Sequence, residues 1–217
     1  MKFLVTAGPT IEYIDPVRFI SNPSSGKMGY ALARTAQKLG HDVLLITGPT
    51  HIKKPSKIKT VEVTSAREMK NAVLENIEKK DIVIMTAAVS DFRPLKRSTR
   101  KIKKDSTHMM SLPLARNTDI LRLLGRRKHS YYLVGFAAET DTIIGNALIK
   151  LKEKKLDMII ANKVGGSGSG FATDFNEAYG ITQKEEVKEY GLLTKEQLAK
   201  KIIQDILFEF NNKVGSR

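Results

Sequence analysis

Short apolar runs alternate with segments of helical period along most of the 217-residue chain. Phe3-Leu4-Val5-Thr6-Ala7 is an unbroken run closed by Gly8-Pro9, the pattern of a parallel strand buried on both faces. A polar loop follows, and Met28, Leu32, Ala36 and Leu39 then recur near helical spacing ahead of Gly40, which predicts a helix over 28–39. Val43 to Thr47 reads as a second strand, closed by Gly48-Pro49, and Ile58 to Thr64 as a third, more exposed one. Ser65 and Glu68 have capping-box spacing ahead of a helix carried by Met69, Val73 and Ile77. Ile82 to Ala88 is the strongest strand signal. Strands separated by helix-length gaps predict βαβ units and an α/β fold with a Rossmann-like, mostly parallel sheet flanked by helices.

The texture changes at Asp91. From Arg93 to Lys104 there are seven basic residues and no acidic one, and Met109 to Leu114 alternates only weakly. The α/β rhythm resumes over Thr118–Leu124, Tyr131–Ala137, Thr142–Lys154 and Met158–Ala161, so residues 91–116 read as a basic insertion, a lid or projecting hairpin. Gly165 to Gly170 is too glycine-rich for regular structure and reads as a flexible loop. Tyr179–Thr182 and Glu186–Tyr190 predict a C-terminal antiparallel hairpin. Thr194 and Gln197 cap a last helix with Leu198, Ile202, Ile206 and Phe210 on its apolar face. The expectation is one domain over residues 1–212 with a tail at 213–217. No segment approaches the roughly 20 apolar residues that cross a bilayer, and the N-terminus reads as a strand, not a signal peptide, so a cytoplasmic protein is expected.

Charge narrows the partner. With 37 Lys and Arg against 23 Asp and Glu the net charge is +14, which favours an anionic substrate, either nucleic acid or small phosphorylated molecules. The absence of cysteine removes disulfides, a thiolate nucleophile and Cys-containing metal sites, and four scattered histidines argue against a His-rich one.

The polar loop Ser21-Asn22-Pro23-Ser24-Ser25-Gly26-Lys27-Met28-Gly29 sits directly ahead of the first helix, where unpaired backbone N–H groups and the helix dipole hold phosphate. Ser24, Ser25 and Lys27 add side-chain donors, although the same residues also read simply as a cap and turn. The order is not a P-loop, because Met28 stands where Ser or Thr is required. Asp91, beyond the strongest strand, lies where open α/β sheets place ligands, or is a turn former. The basic run reads as a solvated face, an RNA-binding patch or a lid over phosphates; the scarcity of aromatics in it disfavours nucleic acid. Lys150 and Lys154 share a helical face toward a polyanion or toward solvent. Phe136 and Asn162 end further strands, so several candidates gather on one rim. The missing GxGxxG and the lack of a histidine at a strand end weaken an NAD-linked oxidoreductase.

Six ordered segments carry a resemblance: Asp15–Asn22, Ser24–Gly29, Ala87–Phe92, Lys101–Lys104, Asn117–Leu121 and Val134–Thr140. Together they resemble the phosphopantothenate-cysteine ligase (phosphopantothenoylcysteine synthetase) family over nearly the whole chain, in a standalone form. The resemblance implies a ligase of coenzyme A biosynthesis that joins 4′-phosphopantothenate to L-cysteine through an acyl-CMP or acyl-AMP intermediate, with CTP or ATP as co-substrate and Mg²⁺ accompanying the nucleotide. It implies a homodimer and a phosphopantothenoylcysteine decarboxylase on a separate chain. Asn22 matches the residue that holds the acyl intermediate, and Lys101 the lid lysine needed for its formation. Ser24, Ser25, Gly26, Lys27, Asp91, Thr118, Asp119, Ile120, Leu121, Phe136, Lys150 and Lys154 match nucleotide-binding positions, with Asn162 a substrate-binding candidate beside Asn22 and Lys101; metal ligands are not assigned. The chain has Gly8-Pro9-Thr10 for the family's Gly-Gly-Thr turn, Thr118 for its proline, and no matching motif at 165–170. A noncatalytic basic protein binding nucleic acid is the alternative.

Overall fold

The structure, a computed structural model, describes residues 1–103, 110–127, 130–165 and 174–215. Its elements in chain order are β1 (Lys2–Ala7), β2 (Ile11–Tyr13), β3 (Phe19–Ser21), α1 (Lys27–Lys38), β4 (Asp42–Thr47), β5 (Lys59–Glu62), α2 (Ala66–Asn76), β6 (Ile82–Met85), β7 (Phe92–Pro94), β8 (Leu114–Arg116), α3 (Ile120–Arg126), β9 (Tyr132–Glu139), α4 (Ile143–Glu153), β10 (Met158–Lys163), β11 (Phe175–Thr182), β12 (Val187–Thr194) and α5 (Lys195–Gly215). Eight strands form one sheet in the order β12-β11-β10-β9-β6-β1-β4-β5, parallel except for β11 and β12. The six parallel strands thus follow the doubly wound order, reversing direction between β1 and β6.

The continuous apolar runs become strands because both faces are covered. Phe3, Val5, Ile82, Ile84, Val134 and Ile160 turn to a core shared with α1 and α5, while Leu4, Val83, Leu133 and Ile159 turn to one shared with α2, α3 and α4. The predicted caps are in place. Ser65 Oγ accepts from the Glu68 N–H at 3.2 Å, and Glu68 reaches back to the Thr64 N–H at 2.8 Å. Thr194 and Gln197 form the same reciprocal pair at the start of α5.

Three features differ from expectation. The polar loop after β1 contains the antiparallel hairpin β2–β3, which lacks a common turn signature because the buried Asp15 carboxylate builds the turn, accepting from the N–H groups of Val17 at 2.7 Å and Arg18 at 2.8 Å. The C-terminal hairpin extends further from its turn than read, to Phe175 on β11 and Thr194 on β12, with a bulge at Ala178/Tyr179. Helix α5 runs past residue 212, because Lys213 on its last turn pairs with the buried Asp157. In the insertion, β7 pairs with β8 as a short antiparallel ladder. Lys104 and most of the 165–170 loop lie outside the described residues. No helix among the described residues is long and apolar enough to cross a membrane.

Candidate active site

A cleft of about 520 Å³ opens at the carboxyl ends of β6, β9 and β10, beside the point where the strand order reverses. Its rim is made by backbone that the strand ends hold together. Thr10 Oγ1 accepts from the Ser90 N–H at 3.0 Å, and the Ala88 N–H donates to the Gly8 carbonyl at 2.9 Å. Asn117, from the turn ahead of α3, donates its side-chain amide to the Ser90 carbonyl at 2.8 Å and its own N–H to the Asp91 carbonyl at 2.7 Å.

One wall is the start of α1. Gly26 precedes the helix with φ 77° and, as the N-cap residue, offers no side-chain cap. Ser24 and Ser25 hydroxyls curl onto the N–H groups of Gly26 and Lys27 at 3.3 and 3.5 Å. Gly29 lets the helix touch the strands: a Cβ there would lie 2.6 Å from Ala7 Cβ and 2.6 Å from Thr86 Oγ1. The helix N-terminus, with its positive dipole end, is therefore pressed directly against the ends of β1 and β6, an arrangement suited to an anion.

The predicted residues Asn22, Ser24, Ser25, Gly26, Lys27, Asp91, Thr118, Asp119, Ile120, Leu121, Phe136, Lys150, Lys154 and Asn162 all line this cleft. Phe136 is half-buried, packing against the α1-side core while it walls the cleft. Three of the lysines hold carboxylates: Lys150 pairs with the buried Glu139 at 2.5 Å, Lys154 with Asp119 at 3.0 Å and Lys27 with Asp174 at 2.6 Å. Asp119 also caps α3 by accepting from the Arg122 N–H at 2.9 Å. Asn22 turns its amide nitrogen to the main chain, donating to the carbonyls of Ala88 at 3.1 Å and Val89 at 3.2 Å. The amide hydrogens expected to hold an acyl oxygen are thus engaged here, and Asn22 ties the two loops of the rim together.

Lys101 is not among the lining residues. It is exposed, and its neighbour Ile102 is anchored on the β2–β3 hairpin: the Ile102 N–H donates to Asp15 Oδ2 at 3.1 Å and its carbonyl accepts from Arg18 Nη1 at 3.2 Å. Burial pushes the Asp15 carboxyl upward, but three backbone N–H donors and the Arg18 guanidinium outweigh it and hold the group below the ordinary carboxylate value. Elsewhere in the basic run, Arg93 donates to the Arg116 carbonyl and Asn117 Oδ1, and Arg97 stacks on the Tyr13 ring with its guanidinium carbon 4.9 Å from the centroid. The run is partly consumed by its own fold, unlike a stripe that tracks a polynucleotide backbone.

Among the polar residues of the cleft, sequence reading gave no site role to Thr86, Ser90, Asn117, Asn176 and Lys195. Ser90 and Asn117 lie within segments singled out above and Thr86 adjoins one; Asn176 and Lys195 carry no local signal, since one lies near the start of a strand and the other follows a helix cap. No group of three or more His, Cys, Asp or Glu able to hold a metal exists among the described residues. Asp91 and Asp119 line the cleft and are the carboxylates that could help hold a Mg²⁺ carried mainly by substrate phosphates and water.

The sequence profile of the DNA/pantothenate metabolism flavoprotein C-terminal domain matches residues 1–208. A protein from an unknown prokaryotic organism named cysteine/cysteine sulfinic acid decarboxylase is 45% identical over 208 residues, covering 95% of this chain and 58% of its own length. The coenzyme A biosynthesis bifunctional protein CoaBC of Bacillus subtilis is 45% identical over 204 residues, covering 94% of this chain and 50% of its own. The chain thus spans about half the length of these curated relatives. The crystal structure of the C-terminal domain of a CoaBC protein superposes with a TM-score of 0.83 at 40% identity, covering 97% of this chain and 96% of that one. With the family profile matched over 208 residues and that fold shared almost end to end, the chain belongs to the DNA/pantothenate metabolism flavoprotein C-terminal domain family.

Proposed function

We propose that this chain is a ligase that joins 4′-phosphopantothenate to L-cysteine in coenzyme A biosynthesis, using CTP or ATP. The observation that carries the reading is the gathering, in one cleft, of a helix N-terminus with glycine at its N-cap, Asn22, and Lys150 and Lys154. Membership of the family and likeness to bifunctional coenzyme A biosynthesis proteins support it.

In the first half-reaction a substrate carboxylate oxygen attacks the α-phosphorus, and pyrophosphate leaves. The cysteine amine then attacks the acyl carbon, the C–O bond to the nucleotide breaks, and the nucleoside monophosphate departs as the amine loses its proton. The α1 N-terminus with Ser24, Ser25 and Lys27 binds phosphate oxygens, and Phe136 covers the nucleotide. Lys150 and Lys154 exchange their carboxylate partners for the polyanion. Mg²⁺, when bound, neutralises phosphate charge. Asn22 positions the acyl intermediate by fixing the rim at Ala88 and Val89. Lys101 stabilises charge at the attacked phosphorus, which requires either release of the Ile102 tether or supply of Lys101 across a homodimer. Phe92, Leu95 and Leu114 on the insertion and Val17 and Phe19 on the β2–β3 hairpin are exposed and apolar, as a dimer contact requires.

Pyrophosphate release measured with Mg²⁺, 4′-phosphopantothenate and either CTP or ATP, with and without cysteine, tests the proposal. Release that requires phosphopantothenate is expected. Folded protein that releases none with either nucleotide refutes the assignment.

A further inference from the structure

A second cavity, of about 530 Å³, lies behind the rim of the cleft, between the β2–β3 hairpin, the start of α2 and β7. The turn at Asn117 and Thr118 is the shared wall, since both residues line both cavities. Four cations surround this groove: Arg67 and Lys70 from α2, Arg93 from β7 and Arg97 just beyond it. None of them pairs with a carboxylate among the described residues. Two carboxylates line the groove, yet both are consumed by the helix start. The buried Glu12 accepts from the Ala66 N–H at 2.8 Å, and Glu68 accepts from the Thr64 N–H at 2.8 Å and the Ser65 hydroxyl at 3.0 Å. The start of α2 is thereby capped, and what the groove lacks is a counter-charge for its side chains. Cations gathered in one concavity raise a positive potential there, which the low-dielectric walls focus.

An independent observation is that two of the arginines are held in place. Arg93 Nη1 donates to the Arg116 carbonyl at 2.6 Å and to Asn117 Oδ1 at 3.1 Å. The Arg97 guanidinium lies on the Tyr13 ring, which meets Phe19 edge-on at 5.8 Å, and the Ser98 N–H donates to the Ile14 carbonyl at 2.8 Å, fixing the adjoining backbone to the hairpin. An arginine that is loose on a surface must be ordered when it binds. Here the ordering is already done, which lowers the cost of taking up an anion. Each guanidinium carries five N–H donors in a planar fork that matches phosphate or carboxylate oxygens.

Arg93 also connects the groove to the cleft. Asn117, whose Oδ1 it holds, donates to the carbonyls of Ser90 at 2.8 Å and Asp91 at 2.7 Å, the contacts that fix the rim. An anion that draws the Arg93 fork into the groove competes with the Arg116 carbonyl and Asn117 Oδ1 for the same N–H groups. We propose that this groove binds a small polyanion, a molecule with two or more phosphate or carboxylate groups, and that its occupancy weakens nucleotide binding in the cleft by loosening the turn at Asn117. The nucleotide as the coupled ligand rests on the ligase reading above; the groove does not. Coupling is reciprocal, so a bound nucleotide weakens the polyanion by the same factor.

Inorganic tripolyphosphate is the probe, and two-dimensional amide NMR of the full chain separates its destinations. Signals of Ser24–Gly29 report the cleft, and those of Arg67–Lys70 with the side-chain Nε–H groups of Arg93 and Arg97 report the groove. Saturable shifts at both are expected. The double variant Arg67→Ala/Lys70→Ala weakens the groove event about tenfold or more, the worth of one charge-assisted hydrogen bond, and leaves the cleft signals responsive. Calorimetric titration of CTP and ATP, with and without saturating probe, then reads the coupling. Direct competition in the cleft is common to both proteins, so the coupling is the extra weakening in wild type over the double variant, about fivefold or more. Arg93→Lys keeps the charge but not the fork, and is expected to retain probe binding in the groove while losing that extra weakening. Shifts confined to the cleft, or groove shifts that grow without saturating, reduce the groove to a charged face and overturn the proposal. Equal weakening of the nucleotide in wild type and double variant overturns it as well. Saturable groove binding with the extra weakening, in protein that releases no pyrophosphate from either nucleotide, supports the groove and refutes the ligase. Normal ligation with an unresponsive groove does the reverse.

Discussion

Replacing Gly29 by alanine reverses the usual sign of a helical glycine substitution. In an open helix the change stabilises by about 1 kcal/mol, because alanine loses less backbone entropy. Here the added Cβ would stand 2.6 Å from Ala7 Cβ, 2.6 Å from Thr86 Oγ1 and 2.9 Å from the Thr6 carbonyl oxygen. Carbon atoms rest at about 3.5–4.0 Å, so roughly an ångström must be recovered. Two of the three neighbours are a strand carbonyl and a Cβ, which cannot rotate aside, and Thr86 is held by its hydrogen bond to the same carbonyl. The start of α1 must therefore lift from β1 and β6. Overpacking of this kind costs about 1–3 kcal/mol, and three contacts below 3.0 Å place it at about 2–3 kcal/mol; less the helix gain of about 1 kcal/mol, a net loss of about 1–2 kcal/mol remains, or a fall in Tm of about 2–8 °C for a chain of this size. The same lift withdraws the turn proposed to bind phosphate, so nucleotide affinity is expected to fall as well. Gly145→Ala is the internal control. Its Cβ meets only Thr142 Cγ2, at 3.0 Å, and stability is expected to hold or rise. Differential scanning calorimetry of both variants, with titration of CTP and ATP, makes the comparison. Gly29→Ala protein as stable as the wild type, or as much improved as Gly145→Ala, refutes the close-contact argument.

Asn22→Asp places a carboxylate against the Ala88 and Val89 carbonyls in place of two donated hydrogen bonds. It is expected to slow the cysteine-dependent half-reaction and to lower stability by about 1–3 kcal/mol; wild-type turnover in a single-turnover assay removes Asn22 from the mechanism. Lys101→Gln is expected to nearly abolish product formation while leaving the thermal transition in place, since the side chain is exposed. An unchanged rate transfers the role to Lys103 or Lys104. For Asp15, whose pKa is lowered from 3.8, the ionised carboxylate favours the folded state. That contribution is fully present above the unfolded value and is lost as pH falls through the lowered folded one. The Tm advantage of wild type over Asp15→Asn should therefore be constant at neutral pH and shrink below about pH 4, and an advantage that grows with acidity contradicts the assignment.

The strands and helices of the sheet were legible in the chain because each answers to a short-range rule. Strands covered on both faces must be apolar throughout, as in Phe3–Ala7 and Ile82–Met85. Helix starts announce themselves through Ser65 with Glu68 and Thr194 with Gln197, whose bonds span only three residues. The turn into α1 was legible for the same reason, since its geometry is local to Ser24–Gly29. What the sequence could not display are contacts between segments far apart in the chain. The β2–β3 hairpin was hidden because its turn is built by a carboxylate that also grips Ile102, 87 residues away. The orientation of Asn22 depends on carbonyls 66 and 67 residues further along. Lys195 and Asn176 enter the cleft only because the antiparallel pairing of β11 brings α5 back beside α1. Periodicity and capping are decided by neighbours within a turn or a strand, whereas the charge and hydrogen-bonding of the cleft are set by which chain ends the sheet topology brings together.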